Sequence, residues 1–138
     1  SKQSRYKQGY IKQSACSKYI NKSEPIIYRS SYEKKFMMWL ESNPNIKRWG
    51  SECICIPYEF VDGMIHRYYP DYYVEFVDGT KMIVEIKPSN QTTKPVNENS
   101  WAQKEWTKNV CKWKATQKFC EEHGLLFKIL TEKTISRL

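Results

Sequence analysis

Asp71 follows a proline, and Glu85 and Lys87 flank a single isoleucine further along the chain. Two carboxylates held a few ångströms apart repel each other and raise one pKa unless a cation lies between them. A hard divalent ion relieves that repulsion, and Mg²⁺ favours sites with few carboxylates and several waters. An ion held in this way activates water and stabilises charge on a phosphoryl oxygen. A lysine at position 87 would orient or deprotonate the attacking water, or neutralise the pentavalent phosphate. Glu33, projecting from a predicted helix, is a candidate third carboxylate for the same ion.

Whether Asp71 and Glu85 meet depends on one hairpin. A two-residue turn at Asp78-Gly79 would set Val74 against Ile83 and Tyr72 against Glu85. A three-residue loop, Val77-Asp78-Gly79 with Gly79 left-handed, sets Val74 against Met82 and Tyr72 against Val84 instead. The second register keeps the apolar sets on one face and puts Asp71 opposite Glu85, with Lys87 two residues on. It is the register expected here.

The other elements follow from caps, breakers and periodicity. A helix is predicted from Ser31 to about Ser42, capped by Ser30 or Ser31 and ended by Asn43-Pro44-Asn45. Phe36, Met37 and Leu40 make its apolar stripe, and Glu33 lies on the same stripe. Extended segments are predicted at Glu52–Tyr58, with Pro57 marking an edge, and at Met64–Tyr69 after the Asp62-Gly63 turn. Two more are predicted at Asp71–Phe76 and Lys81–Lys87. A polar loop, 88–99, leads to a helix from about Ser100 to His123, closed by Gly124. Ala102, Trp106, Val110, Trp113 and Cys120 follow the period of that helix, and Leu125–Leu130 reads as a buried strand. With Met64–Tyr69 and Asp71–Phe76 taken as one extended stretch interrupted at Pro70, the order is α-β-β-β-α-β, an α/β fold.

The 138 residues suit one domain, and their 40% apolar and 14% aromatic content is enough to fold. No apolar run approaches the roughly 20 residues of a membrane span. The first 30 residues lack an apolar signal core, so a soluble, intracellular protein is expected. Five cysteines without a CxxC pair, and only His66 and His123 beside them, argue for reduced thiols over a structural zinc site. The net charge of +8 points to a polyanionic partner, most often nucleic acid. Residues 1–24 carry Lys2, Arg5, Lys7, Lys12, Lys18 and Lys22 against Glu24 alone, with Tyr6, Tyr10 and Tyr19 interspersed. Lys104, Lys108 and Lys112 recur at helical spacing, as a phosphate-contacting stripe or a solvated face. Arg67 is a candidate for backbone phosphate. Gln91 is read as a contact to phosphate or site water, or as a solvated loop amide.

Pro70-Asp71 followed by Glu85-Ile86-Lys87 resembles the PD-(D/E)xK nuclease motif, and the element order resembles that superfamily's restriction-endonuclease-like αβββαβ core, a mixed sheet flanked by helices. A glutamate in the first helix, Glu33, is similar to the TnsA-type endonuclease branch. Ile27-Tyr28-Arg29-Ser30-Ser31, Phe36-Met37-Met38-Trp39-Leu40, His66-Arg67-Tyr68-Tyr69-Pro70-Asp71 and Glu85-Ile86-Lys87-Pro88 resemble the head-completion nuclease family of T4-like phages, over about residues 26–131. The charge pattern marks a basic arm, 1–25, and the resemblance implies a nuclease domain after it, 26–138. It implies Mg²⁺-dependent DNA cleavage, with Mn²⁺ able to substitute. Glu33, Asp71 and Glu85 would bind metal and Lys87 would be the catalytic lysine. It further implies trimming or finishing of packaged DNA, head, portal or neck proteins as partners, and a place in the host cytoplasm or on the virion head.

Each residue also has a plainer role open to it. Ser30-x-x-Glu33 fits a capping box. Glu85 and Lys87 fit the solvent face of a strand, and Asp71 fits a turn. The competing function is a non-catalytic DNA-end-binding or neck protein, which needs the basic stripe and not Glu85. A junction-resolving nuclease would require a symmetric dimer.

Overall fold

Ser30 opens the first helix, α1 (Ser31–Ser42), and its hydroxyl accepts the Glu33 N–H at 3.1 Å. This satisfies one of the four amides a helix start leaves unpaired. Asn43 ends the helix, and Phe36, Met37 and Leu40 are its buried stripe, as the periodicity predicts. The computed structural model describes residues 8–96 and 100–138. Lys2, Arg5, Tyr6 and Lys7 of the predicted arm, and 97–99 of the predicted polar loop, lie outside the described residues.

After α1 come β3 (Ile46–Ser51), β6 (Tyr72–Phe76), β7 (Lys81–Ile86), the long helix α2 (Ser100–His123) and β8 (Leu126–Leu130). The sheet order is β3-β6-β7-β8; β6 runs antiparallel to β3 and β7, and β8 runs parallel to β7. This is a restriction-endonuclease-like core: a mixed sheet with α1 against one face and α2 against the other. Inserted between β3 and β6 is a separate ribbon of β4 (Ile56–Glu59) and β5 (Ile65–Tyr68). A short helix, α3 (Glu132–Ile135), ends the fold.

The hairpin closes in the expected register. Tyr72 pairs with Val84, Tyr73 with Ile83 and Val74 with Met82. Gly79 sits at φ 92°, where a side chain would be strained, and its N–H bonds the Phe76 carbonyl at 3.0 Å. The strand predicted at Glu52–Tyr58 needs correction. Its first residue, Glu52, has φ 49°, which breaks the chain between β3 and β4. The core strand is β3, which carried no clean alternation because its register against β6 shifts between Ile46 and Arg48.

Alternation along β7 builds two cores. Val84 and Met82 face α1 together with Tyr72, Val74 and Trp49. Ile83 faces α2 with Tyr58, Tyr68 and Cys120. Ile83 is fully buried on a central strand. Ile83→Ala should cost about 2–5 kcal/mol in urea unfolding, since the cavity cannot collapse against a paired strand.

Two readings of packing change. The boundary drawn at residue 25 runs through a paired ribbon, β1 (Gly9–Ile11) with β2 (Ile26–Tyr28). Cys16 and Tyr19 are buried, with the Tyr19 ring edge-on to Trp49, so the described part of the arm folds onto the domain. On α2 the buried residues are Asn109, Thr116 and Cys120. Ala102, Trp106, Val110 and Trp113 are half-buried, because two polar residues take the inward positions that hydrophobicity alone assigns elsewhere. All five cysteines are free. Among the described residues, no helix is long and apolar enough to cross a membrane.

Candidate functional site

The β6–β7 ladder ends at Tyr72 and Val84, and side chains make its next rung. The Asp71 N–H donates to Glu85 Oε1 at 3.1 Å, and the Ile86 N–H donates to Asp71 Oδ2 at 2.7 Å. Each carboxylate is therefore held by the other strand's backbone, and the two are brought side by side. The Asp71 carbonyl accepts the Glu52 N–H at 3.0 Å, which ties the site to the end of β3. Glu85 is 4% exposed. Lys87 Nζ lies 4.0 Å from Glu85 Oε2, with its side chain 22% exposed.

Burial and the adjacent Glu85 push the Asp71 carboxyl up to about 9, against a partial pull downward from the Ile86 N–H. A buried pair of like charges is unfavourable as it stands. Its donor set is hard oxygen, with one ammonium at its edge, and a cation between the carboxylates would remove the repulsion. The residues thus fit Mg²⁺, which needs only one or two carboxylates and completes its shell with water.

Glu33 stands apart from this pair. Its Oε1 accepts the Arg29 N–H at 3.3 Å, one residue before the position that a capping box would use. Burial raises its pKa, while the Arg29 N–H and guanidinium lower it. Among the described residues, no three His, Cys, Asp or Glu side chains gather around one point that could hold an ion. Yet Glu33 and Lys87 line one cavity of about 390 Å³ with Ser89 and Glu132. The glutamate thus comes round the sheet's open end from the α1 face.

The basic candidates separate. A cleft of about 500 Å³ between α2 and the segment after β7 is lined by Lys87, Gln91, Lys94, Asn109 and Lys112, among others. Lys112 is half-buried, its ammonium 5.1 Å from the Tyr68 ring centroid, and burial lowers its pKa first, with Lys87 and Lys108 adding to it. Lys104 is exposed and does not line this cleft, and Arg67 is exposed on the face of β5 opposite Tyr68. Trp101 is 71% exposed at the rim of the cleft. His66 is bonded to Asp62 at 2.9 Å and stacked on Tyr58, within the β4–β5 ribbon. Glu75 is buried against Arg48, Nε to Oε2 at 2.5 Å, as a structural ion pair.

Sequence reasoning missed several neighbours of the site. Arg29 pairs with Glu52 beside Glu33. Glu132 holds the loop after Lys87, accepting the Ser89 N–H at 2.9 Å and hydroxyl at 2.6 Å. Asn109 is buried at the cleft. Arg29 falls in the Ile27–Ser31 segment and Asn109 within the Lys104–Lys112 stripe, but neither residue type marks a site contact by itself, and Glu132 is too far along the chain for a spacing signal.

The TnsA-like endonuclease N-terminal family matches residues 43–132. That span contains Asp71, Glu85, Lys87, Gln91 and Lys112, and begins after Glu33. The chain is 38% identical over 133 residues to the head completion nuclease of Enterobacteria phage T4, covering 88% of this chain and 89% of that protein.

Proposed function

The chain belongs to the TnsA-like endonuclease family, and we propose that it is a Mg²⁺-dependent DNA endonuclease of the PD-(D/E)xK type that trims or finishes packaged DNA during phage head completion. The observation that carries this reading is the buried Asp71–Glu85 pair, locked by reciprocal backbone bonds, with Lys87 at 4.0 Å. A solvent-facing strand would have no reason to bury two carboxylates together. When bound there, the cation supplies Lewis-acid activation of water and charge stabilisation at phosphorus.

The chain's own residues do the rest. Asp71 and Glu85 hold the cation, and Glu33 approaches from the opposite face. Lys87 orients the attacking water and offsets charge on the phosphate. Gln91, Lys94 and Lys112 steer the DNA strand through the cleft, with Lys104, Lys108 and Arg67 as outer phosphate contacts. Contacts of this kind make binding salt-dependent and tolerant of sequence. The similarity to the phage T4 head completion nuclease supports work at the packaged head in the host cytoplasm, recruited by head, portal or neck proteins.

Supercoiled plasmid incubated with the protein and Mg²⁺ should be nicked, and EDTA should stop it. Lys87→Ala should slow nicking by about 10²–10⁴-fold, while gel retention of DNA persists. Cutting by Lys87→Ala at the unmodified rate would sink the assignment. DNA retention with no metal-dependent cutting by the unmodified protein would favour the DNA-end-binding reading.

A further inference from the structure

Tyr68 ends β5, two residues before Pro70. Its ring packs in the core under α2 and is capped by the Lys112 ammonium at 5.1 Å. Its hydroxyl is fully buried and has no hydrogen-bond partner among the described residues. Burial raises its pKa first, and then the charge of Glu85 beside it, with Asp71 further off. The hydroxyl stays protonated, so it is available to donate to the Glu85 carboxylate beside it. A buried hydroxyl left unpaired is destabilising, so one that sits beside a carboxylate calls for an explanation.

That partner is Glu85. Glu85 Oε1 is held by the Asp71 N–H, while Oε2 has Lys87 at 4.0 Å, beyond hydrogen-bond reach. That oxygen has neither a backbone N–H nor Lys87 in reach, and a cation that ionises Asp71 also removes the carboxyl proton that Asp71 shares with Glu85. We propose that Tyr68 is a positioning residue for the cation site, its hydroxyl donating to the Glu85 carboxylate and holding that group aimed at the cation. The inference rests on the functional reading above. Hydrogen bonds of this kind fix ligand orientation, and their loss commonly weakens metal binding by about 10–100-fold. Lys112, which caps the ring, also lines the cleft proposed to receive the DNA strand.

Tyr72 supplies the control. Its hydroxyl is also buried without a partner, but its ring packs edge-on against Phe36 on the α1 face, nearer Glu33. The experiment is isothermal titration of Mn²⁺ into the full chain, alongside thermal unfolding of the metal-free protein. Tyr68→Phe should leave the metal-free melting temperature unchanged or higher, because it removes only an unpaired O–H. It should weaken Mn²⁺ binding at least ~10-fold, and raise the Mg²⁺ concentration for half-maximal nicking in parallel. Tyr72→Phe should leave Mn²⁺ affinity unchanged. Equal Mn²⁺ affinity in Tyr68→Phe and the unmodified chain overturns the inference while leaving the functional reading intact. So does a drop in the metal-free melting temperature with unchanged affinity, which marks a structural role. Failure of the unmodified chain to bind Mn²⁺ at all overturns both.

Discussion

Glu85→Gln should reduce metal-dependent DNA cleavage by about 10³-fold or more, the equivalent of about 4 kcal/mol of transition-state stabilisation, with the fold preserved. The amide keeps an oxygen that accepts the Asp71 N–H, now made at 3.1 Å, so the side-chain rung between β6 and β7 survives. What disappears is the negative charge that binds a hard cation and the attraction that keeps Lys87 at the site. Removing that charge also takes away a main cause of the high Asp71 pKa, and the aspartate should ionise nearer its ordinary range. With one of its two negative charges gone, the site holds the ion less tightly through turnover. Single-turnover cleavage of a labelled duplex measures the loss, and far-UV circular dichroism checks the fold. Cleavage within tenfold of the unmodified rate would remove Glu85 from the site.

Asp71→Asn should also abolish cutting, but it should make the metal-free protein more stable. The sign follows from proton counting. The Asp71 carboxyl titrates at about 9 in the folded chain, against an ordinary value of 3.8. Between those values the folded state binds more protons than the unfolded one, so stability falls as pH rises through that window and levels off above it. The metal-free melting temperature of the unmodified chain should therefore decline from about pH 5 to pH 9. Mg²⁺ should recover most of the loss, and more so at higher pH, because it binds the folded chain and requires ionised ligands. Asp71→Asn keeps an oxygen for the Ile86 N–H and carries no charge at any pH. Its melting temperature should exceed that of the unmodified chain by on the order of 3 °C at pH 8, show a flatter pH dependence, and respond little to Mg²⁺. A metal-free melting temperature of the unmodified chain that rises or stays flat from pH 5 to 9 would contradict the strain assigned to the pair. A variant that loses both stability and activity would instead mark Asp71 as a structural turn residue.

Much of the fold was legible because short-range chemistry decides it. Ser30, the Phe36-Met37-Leu40 stripe and Asn43-Pro44 set α1 within a dozen neighbours. Gly79 and the two apolar sets chose one hairpin register over the other, and that choice alone brings Asp71 opposite Glu85. Gly124 ended α2 at φ 68° for the same local reason. Where the pattern was interrupted, reading failed. β3 hid behind its bulge, and α2 turned Asn109 and Thr116 inward on a face that periodicity gave to tryptophans.

The chain alone determined that two acids and a lysine share a strand-pair face, since register and alternation are local constraints. Only the tertiary structure decided that the acids are buried, and that Glu33 rounds the sheet end instead of joining them. It alone selected Lys112, the one member of its stripe lining the cleft, and left the Tyr68 hydroxyl unpaired beside Glu85. Those outcomes depend on how α1, α2 and the β4–β5 ribbon pack over the sheet. Packing sums weak contacts between residues far apart in the chain, and no short motif records that sum.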